Sequence, residues 1–269
     1  MERTLSPLGL LGGGAIATGL AACGLDHGND VILWARSAAK HDEIQRAVDD
    51  LRQREAPRHA SLVVTSDLVH LREAPTVVEA IAEDVAVKTT VLRELHRLAP
   101  LTRKSLVATT TSSLPLDVLA ASLPQGTTFG ALHVFNPVPK MPLAEISHLP
   151  GAPARVADRL KALAEALGKT PVLVPPLPGF IVNRLLFRFL FDAVRLGVDS
   201  GTSPDIVDQC IVGGASHPLG PHRLLDLIGL DVAVAIAESL GLDPTDRVRE
   251  LVRAGLLGRK AKAGFFEYR

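Results

Sequence analysis

At 269 residues the chain is long enough to bury one large core or two modest ones. Its 47% hydrophobic and 22% charged content is that of a globular protein. Lys+Arg and Asp+Glu both number 29, which leaves no basic excess to neutralise nucleic-acid phosphates or anionic lipid. The two cysteines, Cys23 and Cys210, suggest no disulfide framework and fit a reducing cytoplasm, and one Trp and one Tyr make no stacking platform for single strands. The longest apolar candidate, FIVNRLLFRFLF, is broken by Asn183, Arg184 and Arg188, so no membrane span is expected. None of the nine histidines shows HExxH or Cys/His ligand spacing, so no metal is expected.

The first 23 residues carry two readings. Arg3, an apolar run and Leu20-Ala21-Ala22-Cys23 look like a lipoprotein export signal. A signal helix, however, sets no spacing on its glycines. Here the apolar strand Pro7–Leu11 runs straight into Gly12-Gly13-Gly14-Ala15-Ile16-Ala17, which is G-x-G-x-x-A. Gly12 makes the tight turn, Gly14 lets backbone approach a pyrophosphate, and Ala17 keeps the helix close to the strand. Ala15 and Ile16 open that helix, whose free N–H groups favour phosphate. The turn HGND and the strand VILWAR follow, in the βαβ order that the fingerprint needs. A dinucleotide-binding start is therefore expected.

At the end of the second strand, NAD enzymes of this fold usually place an acid on the ribose 2′-hydroxyl. This chain has Trp34-Ala35-Arg36-Ser37 instead. Arg36 and Ser37 suit a 2′-phosphate, so NADP is the expected cofactor, with NAD the alternative. Farther along, SLVVTS, TVVEAI, SLVATTT, TFGALHVF and PVLVP (171–175) read as strands, and VAVKTTVLRELHRLA as an amphipathic helix. This alternation predicts an α/β fold, a Rossmann-type doubly wound and largely parallel sheet, over residues 1–176. Pro175, Pro176, Pro178 and Gly179 make a stiff connector. From 177 to 269 only helices are expected, forming a smaller all-helical domain for substrate binding and dimerisation. FIVNRLLFRFLFDAV is apolar on more than one face, which points to a homodimer.

With those elements placed, VVEAIAEDVAVK, TTTSSL, ALHVFNPVPKMPLAEI, LPGFIVNRLL, HPLGPHRLLDLIGLD and GRKAKAGFFEY come in the same order as in a known family. Together with the glycine turn they resemble the L-3-hydroxyacyl-CoA dehydrogenases over nearly the whole chain. The resemblance implies an oxidoreductase moving hydride between a nicotinamide cofactor and C3 of a 3-hydroxyacyl thioester. By position it implies His133 as catalytic acid/base with Glu145 as its partner, and Ser112 and Asn183 as holders of the substrate oxygen. It also places Glu83, Lys88, Asn136 and Lys260 at the nicotinamide nucleotide, with Lys88 and Ser112 near the acyl-CoA. The chemistry agrees. Oxidising a carbinol releases a hydroxyl proton, which calls for a base titrating near neutrality, and a carboxylate on the other imidazole nitrogen fixes the tautomer. If the chain after Asn136-Pro137-Val138-Pro139 returns as MPLAEIS, His133 and Glu145 can meet.

Three features depart from the family's pattern. The acid after the second strand is missing. Thr110 stands where the family usually has Asn before Thr-Ser-Ser. The segment after Arg36 is short, leaving HDEIQRAVDDLRQREA where relatives carry a longer helical hairpin against the CoA tail. The substrate partner is thus an acyl-CoA or an acyl-carrier-protein thioester, such as a glyceryl-type extender unit, and a free hydroxy acid is a further alternative. A catalytically silent nucleotide-binding protein is the alternative outside the enzymes.

Overall fold

The computed structural model describes residues 6–53, 59–102 and 104–269. Arg3 and residues 54–56 of the expected arm lie outside the described residues. The chain forms two compact units, Met1–Pro176 and Leu177–Arg269.

In the first unit β1 (Leu8–Leu11) leads through the glycine turn into α1 (Ala15–Asp26). β2 (Val31–Trp34), α2 (His41–Leu51) and β3 (Leu62–Thr65) follow. Then come β4 (Thr76–Glu79), α3 (Val85–Leu98), β5 (Leu106–Thr109), the short α4 (Leu116–Ala120) and β6 (Thr128–Val134). The unit closes with β7 (Leu143–Ser147), α5 (Arg155–Ala166) and β8 (Thr170–Leu173). The eight strands form one sheet in the order β3-β2-β1-β4-β5-β6-β7-β8. Neighbours are parallel except β6 and β7, which are antiparallel. The mostly apolar, fully buried strands β1, β4 and β5 read as the centre of a sheet covered on both faces. The two charged exceptions to that pattern, Glu79 in β4 and Glu145 in β7, both belong to the site described below.

Local chemistry explains the helices. Asp84 caps α3 by accepting from the Val87 amide at 2.9 Å. Lys88, Leu92 and Leu95 make the buried stripe of α3, at the spacing of one helical face. α1 is small-sided because it lies close to its neighbours: a Cβ on Gly19 would stand 2.7 Å from Val138 Cβ. Ala17, Leu20, Ala21 and Ala22 of α1 join Leu8, Leu10 and Leu33 in the core of this unit.

The second unit is helical: α6 (Val182–Ser200), α7 (Pro204–Ala215), α8 (Pro221–Ile228), α9 (Leu230–Ser239) and α10 (Asp246–Arg253). Gly201, left-handed at φ 66°, ends α6, and Pro204 and Pro221 start α7 and α8 where no intrahelical N–H is needed. Phe187, Leu190, Phe191, Leu225, Ala233 and Leu251 build its core. Asp226, fully buried, holds the C-terminal segment by accepting from the Phe265 and Phe266 amides and the Tyr268 hydroxyl at 2.9, 3.0 and 2.9 Å. Among the described residues, no helix is long and apolar enough to cross a membrane.

Candidate active site

The strand order reverses between β1 and β4: the chain winds outward through β2 and β3, then returns to the other side of β1. A doubly wound sheet opens its ligand crevice outside the carboxyl ends of its strands at such a point. Here a cavity of about 460 Å³ lies against the glycine turn after β1, Ala80-Ile81-Ala82 after β4, and Trp34 and Arg36 after β2. Gly12 has φ +128°, and a Cβ there would sit 2.4 Å from the Ala80 carbonyl oxygen, so the crossover of the two loops admits only glycine. Gly14 is the N-cap of α1 and has open space where a Cβ would be, which leaves the helix N-terminus accessible to a phosphate. These residues fit a dinucleotide. Gly12, Gly14, Ala15, Ile16 and Arg36 line the cavity, whereas Ala17 lies buried beneath it. Ser37 is not on the cavity wall; it is exposed and starts the turn that leads into α2.

Lys88, expected at the nicotinamide nucleotide and near the acyl-CoA, has its ammonium engaged within the protein. Lys88 is fully buried, and its ammonium lies 2.6 Å from Glu79 Oε1 and 3.4 Å from Glu83 Oε2 and donates to the Ile81 carbonyl. A carboxylate inside an apolar strand demands a buried cation, and Lys88 is the one that Glu79 draws in. Thr109 donates its hydroxyl to the other oxygen of Glu79 at 2.6 Å. Glu83 is likewise committed within the protein. Its Oε1 accepts from the Thr111 hydroxyl (2.7 Å), the Ser112 amide (2.8 Å) and the Ser113 amide (3.1 Å), with the Ser112 hydroxyl at 3.3 Å. Burial alone would raise the Glu83 carboxyl, but the Lys88 ammonium and these donors outweigh it and hold it below the ordinary carboxylate range. Glu83 therefore shapes the Ser112 loop as an anion.

His133 stands second from the end of β6, directly opposite Glu145 on β7. Its Nδ1 is 2.8 Å from Glu145 Oε2, and both side chains are buried. Phe135 packs edge-on to the imidazole, with ring centroids 4.7 Å apart. This is a histidine–carboxylate dyad in which the carboxylate fixes the Nδ1–H tautomer and stabilises the imidazolium. Asn136 follows in the β6–β7 loop. With Pro137, Val138 and Pro139 it faces Gly13, Gly14 and Thr18 across a second groove of about 410 Å³.

In the second unit Asn183 lies buried in the first turn of α6, whose N-cap is Ile181, so a capping role does not account for Asn183. Lys260 Nζ pairs with Asp231, with Oδ2 at 2.6 Å. Among the described residues no group of three potential ligands could hold a metal ion.

Sequence reasoning missed Glu79, Thr109 and Thr111, which organise the loops, and Trp34 and Val91 on the cavity wall. For Glu79 a signal was available, since a lone carboxylate in a run of buried apolar residues requires a partner. For the threonine hydroxyls none was.

The chain matches two family models in succession: the NAD binding domain of 3-hydroxyacyl-CoA dehydrogenase over residues 7–176, and the C-terminal domain of 3-hydroxyacyl-CoA dehydrogenase over residues 179–268. A 3-hydroxybutyryl-CoA dehydrogenase of Mycobacterium tuberculosis H37Rv is 32% identical, covering 100% of both chains. The human mitochondrial hydroxyacyl-coenzyme A dehydrogenase is 31% identical over 97% of this chain and 89% of its own. The crystal structure of (S)-3-hydroxybutyryl-CoA dehydrogenase PaaH1 from Ralstonia eutropha superposes with a TM-score of 0.88 at 28% identity, covering 98% of this chain and 99% of that one.

Proposed function

Because the chain belongs to the 3-hydroxyacyl-CoA dehydrogenase family, we propose that it oxidises (S)-3-hydroxyacyl-CoA thioesters and reduces their 3-oxo counterparts with a nicotinamide dinucleotide. The observation that carries the mechanism is the 2.8 Å contact of His133 Nδ1 with Glu145. When bound, the dinucleotide supplies the hydride acceptor or donor. The protein does the rest. As hydride leaves C3, the hydroxyl proton passes to the His133 nitrogen that faces away from Glu145, and Glu145 steadies the resulting imidazolium. Ser112, set by Glu83, donates to the substrate oxygen, and the family pattern gives Asn183 the same task. The glycine turn and the first turn of α1 receive the pyrophosphate, with Asn136 at the nicotinamide half. Lys88, bound to Glu79, acts on that half through the loops it ties, and the family pattern gives Lys260 a cofactor contact. The direct test is reduction of acetoacetyl-CoA, followed by loss of the reduced cofactor's absorbance. No turnover with either cofactor would overturn the reading.

The cofactor's finer identity rests on the cavity wall. Arg36 is its single charged residue, and no carboxylate lines it to repel a 2′-phosphate. NADPH is thus the preferred partner over NADH. One charge-assisted contact contributes roughly 1.5–3 kcal/mol, so Arg36→Asp should shift the ratio of kcat/KM values toward NADH by at least about tenfold. Equal or better use of NADH by the natural protein would sink this preference.

The relatives' names favour CoA as the carrier, whereas the short segment after β2, where the described residues form one 3-10 turn and α2 before β3, is what supports a carrier protein instead. A CoA thioester is the primary substrate, and comparing it with the same acyl group on a carrier protein tests the alternative. Leu185, Leu196 and Val198 of α6 are exposed at 66%, 61% and 59%, which supports a homodimer through the helical unit; a monomeric mass across micromolar concentrations would overturn it. Both cysteines are free, as a cytoplasmic enzyme requires.

A further inference from the structure

The β6–β7 ladder fixes His133 opposite Glu145, but it does not fix Asn136, which lies beyond the last paired residue in the loop. Something else must hold that loop. Lys169, between α5 and β8, sends its side chain under it. The residue is buried, at 6% exposure, and its ammonium donates to two consecutive parts of the loop, the Val138 carbonyl and the Met141 carbonyl (3.1 Å). The same ammonium lies near enough to Cys23, on α1 one helical turn beyond Gly19, to favour its thiolate, although burial prevails and raises the thiol. Gly19 in turn lets Val138 approach α1 more closely than any side chain would allow. A primary ammonium has three N–H donors, and here two go to the loop.

We propose that Lys169 is a positioning residue for the dehydrogenase reaction: it pins the Asn136 loop against α1 and so sets the width of the groove that receives the nicotinamide half of the cofactor. The inference rests on the function proposed above and adds a residue that touches no substrate. Its physical basis is twofold. A buried ammonium left without acceptors is costly, so the loop carbonyls cannot drift from it freely. And the groove has walls of different kinds. One is the start of α1, a second is Glu43, Ala47 and Leu51 of α2, and the third is a loop carrying three prolines, Pro137, Pro139 and Pro142, whose own ring nitrogens donate nothing. The loop's hold on α1 therefore depends on what reaches its carbonyls.

Two variants test this without sharing a defect. Lys169→Met keeps the length and apolar stem of the side chain and removes all donors. Gly19→Ala leaves Lys169 intact and wedges a methyl group against Val138. Both should weaken NADPH or NADH binding about tenfold in fluorescence titration. Both should also lower kcat for acetoacetyl-CoA reduction by up to about 10²-fold, the scale of a misplacement near 1 Å, while KM for the thioester changes less than twofold. The double variant should be no worse than the more damaged single one, because both open the same groove. Measurements are made on protein whose melting shows a fully folded population, so that a purely structural role, which would lower the melting temperature and leave cofactor affinity per folded molecule unchanged, reads as a negative. Lys169→Met or Gly19→Ala protein that binds cofactor as tightly as the natural chain overturns the role of Lys169. Natural protein that binds neither dinucleotide overturns the dehydrogenase reading itself.

Discussion

Two buried histidine–carboxylate pairs in this molecule look alike but sit in different surroundings. His133 and Glu145 meet at 2.8 Å in the first unit, and His222 and Asp208 meet at 2.9 Å in the second. All four side chains are buried, and each imidazole has an aromatic ring edge-on to it, Phe135 in one case and Phe265 in the other. The difference lies in what else the carboxylate holds and where the pair sits. Asp208, on α7, accepts the backbone amides of His222 and Arg223 in the first turn of α8, at 2.9 and 3.0 Å. It caps a helix from outside, and the imidazole contact completes the clamp between the two helices. His133 and Glu145 lie toward the carboxyl edge of the parallel strands, the edge on which the glycine turn opens. Distance and burial alone do not mark a catalytic dyad. What sets the His133 pair apart is its place at the carboxyl edge on which the crevice opens.

The largest effect expected from breaking this likeness is kinetic. His133→Gln should lower kcat by 10²–10⁴-fold, the usual scale of general acid–base catalysis, with little change in melting temperature. The same substitution at His222 should leave kcat per folded molecule within about twofold, on the footing that side chains outside the site contribute little to transition-state binding. Next in size is stability. Asp208→Ala strands two amides and an imidazole in a buried place and should cost about 3 kcal/mol in urea unfolding. A loss below about 0.5 kcal/mol would show that the pair is ornamental.

The smallest effect is in acid. Burial alone would raise Asp208, but the His222 side chain and the amides of His222 and Arg223 prevail and hold it below its ordinary 3.8. A depressed carboxyl contributes stability that is complete above its unfolded value and is lost as the pH falls through the folded one. Stability should therefore decline below about pH 4, and Asp208→Asn should flatten that part of the profile. An unchanged acid limb in the variant would remove Asp208 from the account.

Much of the first unit was legible in the chain because its signals are local. The glycine turn, the apolar runs and the proline-rich connector near 177 each fit within a dozen residues. The meeting of His133 with Glu145 was legible for the same reason: twelve residues with a proline turn between two apolar stretches make a hairpin. What escaped was decided by distant segments. The family resemblance put Lys88 at the nicotinamide nucleotide, and what the sequence did not show is that Glu79, on the strand before it, takes its ammonium. Lys169 reaches a loop 31 residues earlier, and the Thr109 hydroxyl reaches Glu79 from 30 residues later. Such encounters follow only from the sheet order. The likeness of His222 and His133 could not be sorted from sequence either, since each is one histidine among nine.

The antiparallel pairing of β6 with β7 has a consequence for how this enzyme can change. His133 and Glu145 are cross-strand neighbours, so their alignment is inherited from the backbone ladder rather than from side-chain packing. A slip by one position would turn both groups to opposite faces at once and abolish activity outright, with no gradual decline between. Side chains around the mouth of the crevice, Gly12 apart, take no part in that ladder and can vary without shifting it. Such a scaffold lends itself to acquiring new acyl substrates while its chemistry stays the same.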